Sequence, residues 1–134
     1  MTTSRTRAAL LSAGAVLLAS TAVAVALPAG AAAAGCAVKY TVSSQWQGGF
    51  GAEVAVTNLG DALTSWTLTW SYSAGQTVTQ AWNTTLTQSG PAVTARNVSY
   101  NGAIPTNGTV SFGFNGSWNN SSNPAPTVSC TRTP

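Results

Sequence analysis

Short runs that alternate polar and apolar residues constrain the fold of this chain more than any other feature of its sequence. In SWTLTWSY (65–72), every second residue is aromatic or Leu, and the residues between are Ser or Thr. Successive side chains of a strand point to opposite faces, so this run predicts a strand with one buried face. Further strands are predicted at FGAEVAV (50–56), TVSFGF (109–114), AVTARNV (92–98), CAVKYTV (36–42) and PTVSCT (126–131).

Turn signals separate these runs, and no helical period of apolar residues follows residue 34. The turn segments are NLGD, SAGQ, QSGP, YNGAIP, TNG and NGS. Many short strands joined by such turns are typical of an all-β sandwich or barrel. We therefore predict that residues 35–134 form one all-β domain, of a length close to the commonest domain size.

The first 34 residues have the pattern of a secretory signal peptide. Arg5 and Arg7 precede an apolar run over 8–27, and the small-residue segment PAGAAAAG follows that run. A cleavage site before Gly35 would fit this order. We therefore expect a secreted, extracellular protein with no membrane contact in its mature form. The alternatives are a retained membrane anchor and a lipid-anchored Cys36.

Two cysteines, Cys36 and Cys130, lie near the two ends of the predicted domain. In an exported protein they predict a disulfide that ties the first strand to the last, with two free thiols as the alternative. No metal site is expected, because the chain has no histidine. Two thiols and two scattered carboxylates make no recognisable set of metal ligands.

Few charged residues follow residue 34, and this excludes several classes of function. They are Lys39, Glu53, Asp61, Arg96 and Arg132. Nothing among them forms the basic patch that a nucleic-acid partner requires. A glycosidase needs two carboxyl groups beside the scissile bond, and nothing indicates that the two present converge. Serine–histidine and copper chemistry would require histidine. We therefore predict a protein that is not an enzyme.

Several aromatic residues lie in polar or glycine-rich sequence, where a core residue is not expected. They are Trp46, Trp82, Tyr100 and Trp118. In a regular strand, Val78, Gln80 and Trp82 would share one face, and that face is too polar for a core. Exposed rings among Asn, Gln, Ser and Thr suit a sugar, because its axial C–H groups stack on aromatic faces and its hydroxyls bond to neutral side chains. The sequence thus predicts a polysaccharide-binding surface.

Four segments occur in the order and near the spacing of one known family. They are QWQGGFGAEVAVTN, SWTLTWSYSAGQTVTQAWN, TQSGPAVTARNVSYNGAIPTNGTVSFGFNGS and NPAP. With these segments, residues 36–130 resemble a family 2 carbohydrate-binding module of the cellulose-binding type. The resemblance implies an antiparallel β-sandwich of jelly-roll or immunoglobulin-like type with one terminal-strand disulfide, no catalysis and no cofactor. It also implies a flat face of three aromatic residues that binds crystalline cellulose, and often chitin.

The family's binding positions can be carried over where the motifs match. The three aromatic positions are Trp46 in Q-W-x-x-G-F, Trp82 in Q-A-W, and Tyr100 in the aromatic-N-G-x-I-P motif. Tyr100 stands where many members of the family have Trp. Gln80 and Asn115 match supporting polar positions.

Two further residues and two alternative functions remain open. Trp118 either extends the binding face or anchors its loop, and Glu53 stands where the family often has Asn, so no role is transferred to it. The alternative functions are a secreted structural or adhesin-type domain and a xylan-binding module. The expected partner is an insoluble β-1,4-linked polysaccharide, bound by a monomer.

Overall fold

The computed structural model describes residues 35–134, so the signal peptide predicted at 1–34 lies outside the described residues. The described part of the chain forms eight strands. These are β1 (Cys36–Trp46), β2 (Gly49–Asn58), β3 (Ser65–Ser71), β4 (Thr77–Trp82), β5 (Thr85–Ser89), β6 (Ala92–Arg96), β7 (Thr109–Ser117) and β8 (Ser129–Thr133). Among residues 35–134, no helix has the length and hydropathy that a membrane span requires.

The strands form two four-stranded sheets, in which every neighbouring pair is antiparallel. The front sheet has the order β1-β2-β7-β4, and the back sheet has the order β5-β6-β3-β8. Their inner faces contribute one hydrophobic cluster, to which both sheets supply buried side chains. The predicted antiparallel β-sandwich is therefore confirmed.

The core follows the alternation seen in the sequence. Trp66, Leu68 and Trp70 of β3 are buried, and so is Tyr72 just after it. The buried partners from the front sheet include Phe112, whose ring stacks on Trp66 with centroids 5.6 Å apart and an interplanar angle of 11°. Such aromatic pairs add about 0.5–1.5 kcal/mol beyond the area they bury.

The predicted disulfide between Cys36 and Cys130 is confirmed, with its Cα atoms 6.4 Å apart. Cys36 begins β1 in the front sheet and Cys130 lies in β8 of the back sheet. The bond therefore joins the two sheets as well as the first and last strands.

Several strands differ from the prediction, and β5 (Thr85–Ser89) was not predicted at all. The last strand begins at Ser129, three residues later than 126–131 suggested. The sequence TVTQAW also forms a strand, β4, although neither of its faces reads as apolar in regular alternation. The reason is a shift in the register of β4 with β7, between Val78 and Gln80.

Candidate binding face

The outer face of the front sheet carries the exposed tryptophans, and each of them lies on an edge strand. Trp46 is the last residue of β1, and Trp82 is the last residue of β4. Their exposed fractions are 49% and 44%, whereas the core residue Trp66 is 1% exposed. For these three tryptophans, the separation into core and surface agrees with the polarity of the surrounding sequence.

A β-bulge in β4 turns Trp82 outward. The register with β7 shifts between Val78 and Gln80, so Thr79 is the extra residue. Val78 and Ala81 pack against the core, and Gln80 and Trp82 are exposed. The expectation that Val78, Gln80 and Trp82 share one face is therefore wrong, because the bulge reverses the alternation between them.

A second bulge has the same effect on β1. Its register with β2 shifts between Val42 and Ser44, and Ser43 is the extra residue. Val42 packs against the core. Regular alternation would place Trp46 on the same inner face as Val42, but the bulge moves it to the outer face. Each edge strand of the front sheet, β1 and β4, thus contains one bulge that directs its tryptophan away from the core.

A glycine on the neighbouring strand lies beneath each indole ring. A Cβ atom added to Gly49 would be 2.4 Å from Nε1 of Trp46, and one added to Gly113 would be 2.6 Å from Nε1 of Trp82. Only a residue without a side chain permits this approach. Gly49 pairs with Trp46 and Gly113 pairs with Trp82 across the strands. Each ring therefore lies over the backbone of the adjacent strand instead of projecting into solvent.

Polar residues occupy the sheet between the two rings. Gln80 pairs with Asn115, and Asn115 pairs in turn with Gly51. The two glycines beneath the rings are separated by four residues along the sheet and by one strand, which corresponds to about 14 Å in regular β geometry. The face can therefore contact an extended ligand at two rings, with amide donors and acceptors between them.

Tyr100 lies at the Trp82 end of the face. It is 72% exposed, and its hydroxyl donates to Oδ1 of Asn83, the residue after Trp82, at 2.7 Å. The next residue, Asn101, donates from Nδ2 to the backbone carbonyl of Asn83 at 2.7 Å, and its own backbone carbonyl accepts from Nε1 of Trp66 at 2.9 Å. The loop that carries Tyr100 is thus tied both to the binding face and to the core.

Trp118 supports the other end of the face. Its ring is half-buried against the core, and its Nε1 donates to the carbonyl oxygen of Trp46 at 2.8 Å. Nearby, Oδ1 of Asn120 accepts from the amide of Gly48 in the β1–β2 turn at 2.5 Å. These contacts favour the loop-anchoring alternative for Trp118.

Sequence reasoning did not identify Gly49, Gly113 or the bulge residues Ser43 and Thr79. The one available signal was the presence of glycine in the segments QWQGG and FGF. The family motifs identified the side chains, but the bulges and glycines that set their direction are properties of strand pairing.

The comparisons with known proteins agree with this architecture. Residues 36–133 match the family model described as cellulose binding domain. The chain therefore belongs to that family of non-catalytic carbohydrate-binding modules.

One similar protein is the endoglucanase CelA of Streptomyces lividans, which is 48% identical over 101 residues. The match covers 75% of this chain and 22% of that relative, so the chain spans only a small part of the enzyme's length.

Two solved structures are also similar. The cellulose-binding family 2 carbohydrate-binding domain of ScLPMO10C has a TM-score of 0.60 and 35% identity, with 74% of this chain and 97% of that one covered. The chitin-binding domain of Chi18aC from Streptomyces coelicolor has a TM-score of 0.58 and 38% identity, with 71% and 90% covered.

Proposed function

We propose that this protein binds the surface of insoluble cellulose through Trp46, Trp82 and Tyr100, with chitin as a second ligand. The observation that carries the proposal is the position of the two indole rings, each held over a glycine of the adjacent strand. Rings held in this way present their faces to a ligand, and stacking on them recovers about 1.5–3 kcal/mol of burial per aromatic ring. The chitin-binding domain among the similar structures supports chitin as a ligand.

Gln80 and Asn115 are proposed to bond to the hydroxyls of the polysaccharide. They are cross-strand partners on the same outer face, between the two rings. Trp118 is proposed to position Trp46, through its hydrogen bond to the Trp46 carbonyl. One chain supplies every residue of this face, so we propose that the protein acts as a monomer.

We also propose that the protein acts outside the cell and performs no catalysis. The disulfide between Cys36 and Cys130 is typical of an oxidising compartment. The two carboxylates, Glu53 and Asp61, lie on β2 and in the loop after it, and no observation pairs them as an acid and a nucleophile.

A xylan-binding module and a structural or adhesin-type domain remain the alternative functions. A purely structural role would not require the two bulges that turn Trp46 and Trp82 toward solvent. Solved xylan-binding domains share the fold at 26% identity and a TM-score of 0.54, lower on both measures than the cellulose-binding domain of ScLPMO10C.

The test is adsorption to microcrystalline cellulose, chitin and xylan, measured for the native chain and Trp82→Ala. The variant is expected to lose about 1–3 kcal/mol of cellulose affinity, the usual contribution of stacking on one ring. Its melting temperature should fall less than that of a core variant, because Trp82 is 44% exposed and lies outside the core.

Leu68→Ala is the matched core control. Leu68 is fully buried in the back sheet, so its truncation should cost about 2–5 kcal/mol of stability and leave the affinity of the folded protein unchanged. Native affinity in Trp82→Ala, or strong binding to xylan alone, would contradict the proposed function.

A further inference from the structure

Glu53 places a carboxylate beside one of the stacking rings. It is exposed on the outer side of β2, and its cross-strand partner on β7 is Gly113. Gly113 is the glycine beneath the Trp82 ring. Neighbouring strands are about 4.8 Å apart, so a ligand on that ring lies within reach of the Glu53 side chain.

The carboxylate has no structural partner in the described part of the chain. Within residues 35–134, no ion pair or side-chain hydrogen bond involves Glu53. The other charged residue of the front face is Lys39, whose partner on β2 is Ala55, two residues from Glu53. Diagonal neighbours of this kind have Cα atoms about 7–8 Å apart, which long side chains can span, but Lys39 and Glu53 form no ion pair in the described part of the chain. Glu53 is therefore available to a ligand.

A neutral hydroxyl does not require a carboxylate at this position. Amide groups, which already line the face at Gln80 and Asn115, can also bond to hydroxyls. A carboxylate adds attraction to a cation, and a charge-assisted hydrogen bond is shorter and stronger than a neutral one. A 2-amino-2-deoxyglucose unit keeps the apolar ring face that stacks on Trp82 and presents an ammonium group at the edge of the ring.

We propose that Glu53 gives the binding face a preference for β-1,4-linked polysaccharides that carry free amino groups, as in partly deacetylated chitin. This inference rests on the proposed function, because it requires the sugar to stack on Trp82. Glu53 then pairs with the ammonium group of a unit beside that ring. The native chain binds the deacetylated polymer more tightly than the acetylated one, and the difference comes from Glu53.

The experiment compares adsorption of the full chain to fully acetylated chitin, partly deacetylated chitin and microcrystalline cellulose, at mildly acidic pH. The readout is the ratio of affinities for the deacetylated and acetylated polymers. We expect a ratio of about two to five in low salt, the range of an exposed ion pair. Glu53→Gln keeps the size and hydrogen-bonding capacity of the side chain, and it should lower the ratio to about one. About 1 M NaCl, where the Debye length is about 3 Å, should do the same to the native chain.

Asp61→Asn is the matched control, because it removes the same charge from a loop that is not part of the front sheet. It should retain the native ratio. If Glu53→Gln keeps the affinity ratio of the native chain, the proposal is wrong. If Asp61→Asn lowers the ratio as much as Glu53→Gln does, the proposal is also wrong, because the effect would then come from net charge.

Adsorption to cellulose distinguishes a failure of this proposal from a failure of the proposed function. If the native chain binds cellulose and Trp82→Ala does not, the face is a binding face, whatever the ratio for the amino polymer. If the native chain adsorbs only to the deacetylated polymer and Trp82→Ala adsorbs equally well, both proposals are wrong.

Discussion

Gly113 allows the ring of Trp82 to lie close against the front sheet. Its substitution by alanine would place a Cβ atom 2.6 Å from Nε1 and Cζ2 of Trp82. The ring must then lift away from the sheet. We expect Gly113→Ala to lower cellulose affinity by up to about 1–3 kcal/mol, the range for losing one stacking contact. Adsorption isotherms measure this change.

A double-mutant cycle identifies the cause of that loss. In a Trp82→Ala background no ring is left to displace, so Gly113→Ala should have no further effect on affinity. An equal loss in both backgrounds would show that the glycine acts independently of the ring.

The sequence was most informative about individual residues, because it indicated which aromatic rings are exposed and which are in the core. The polar sequence around Trp46 and Trp82 indicated exposed rings, and the apolar alternation around Trp66 and Trp70 indicated core rings. Regular strand geometry, however, assigned Trp82 to the same face as Val78. The direction of a side chain depends on the pairing of its strand with a neighbour, and no local pattern in TVTQAW encodes a bulge.

At the scale of the strands, the position of Trp46 depends on the hairpin between β1 and β2. Trp118→Phe would remove the hydrogen bond to the Trp46 carbonyl and keep an aromatic ring against the core. We expect a stability loss of about 0.5–1.5 kcal/mol, together with a smaller loss of cellulose affinity than in Trp46→Ala. Chemical unfolding and adsorption measure the two effects.

The same variant distinguishes the two roles considered for Trp118. A residue that only positions Trp46 should have no effect on affinity once Trp46 is replaced by alanine. Continued loss in the Trp46→Ala background would mean that Trp118 itself contacts the polysaccharide.

At the scale of the whole molecule, the all-β class followed from the alternating runs, but the arrangement of the sheets did not. Strands β4 and β5 are consecutive in sequence, yet they lie at the edges of different sheets. Such an arrangement depends on packing between residues distant in sequence, such as Trp66 on Phe112. The terminal disulfide was predictable because two cysteines have only one possible intramolecular pairing.

That disulfide should contribute strongly to stability and little to binding. It closes a loop with a sequence separation of 94 residues, which corresponds to about 4–5 kcal/mol in the chain-entropy model. Cys36 lies at the opposite end of β1 from Trp46. We therefore expect a Cys36→Ser, Cys130→Ser double variant to unfold at lower denaturant concentration and to retain cellulose affinity while folded. Loss of affinity before unfolding would contradict this.

A pair of tyrosines, of which Tyr72 is buried and Tyr40 partly buried, should make the sandwich sensitive to high pH. The hydroxyls of Tyr40 and Tyr72 are 3.0 Å apart. Burial raises the pKa of both, and the hydrogen bond to Tyr72 raises the pKa of Tyr40 further. The unfolded chain releases these protons near pH 10, the usual tyrosine value of about 10, while the folded protein retains them.

Because the folded state then binds more protons than the unfolded state, the free energy of unfolding should fall as the pH rises above about 10. Below that value both states are protonated, and the contribution of the pair to stability is complete. Urea unfolding from about pH 8 to about pH 11 measures the fall. A Tyr40→Phe, Tyr72→Phe double variant removes both hydroxyls together, so neither is left without a partner. It should show a shallower fall than the native chain, and an equally steep one would mean that other groups cause the alkaline instability.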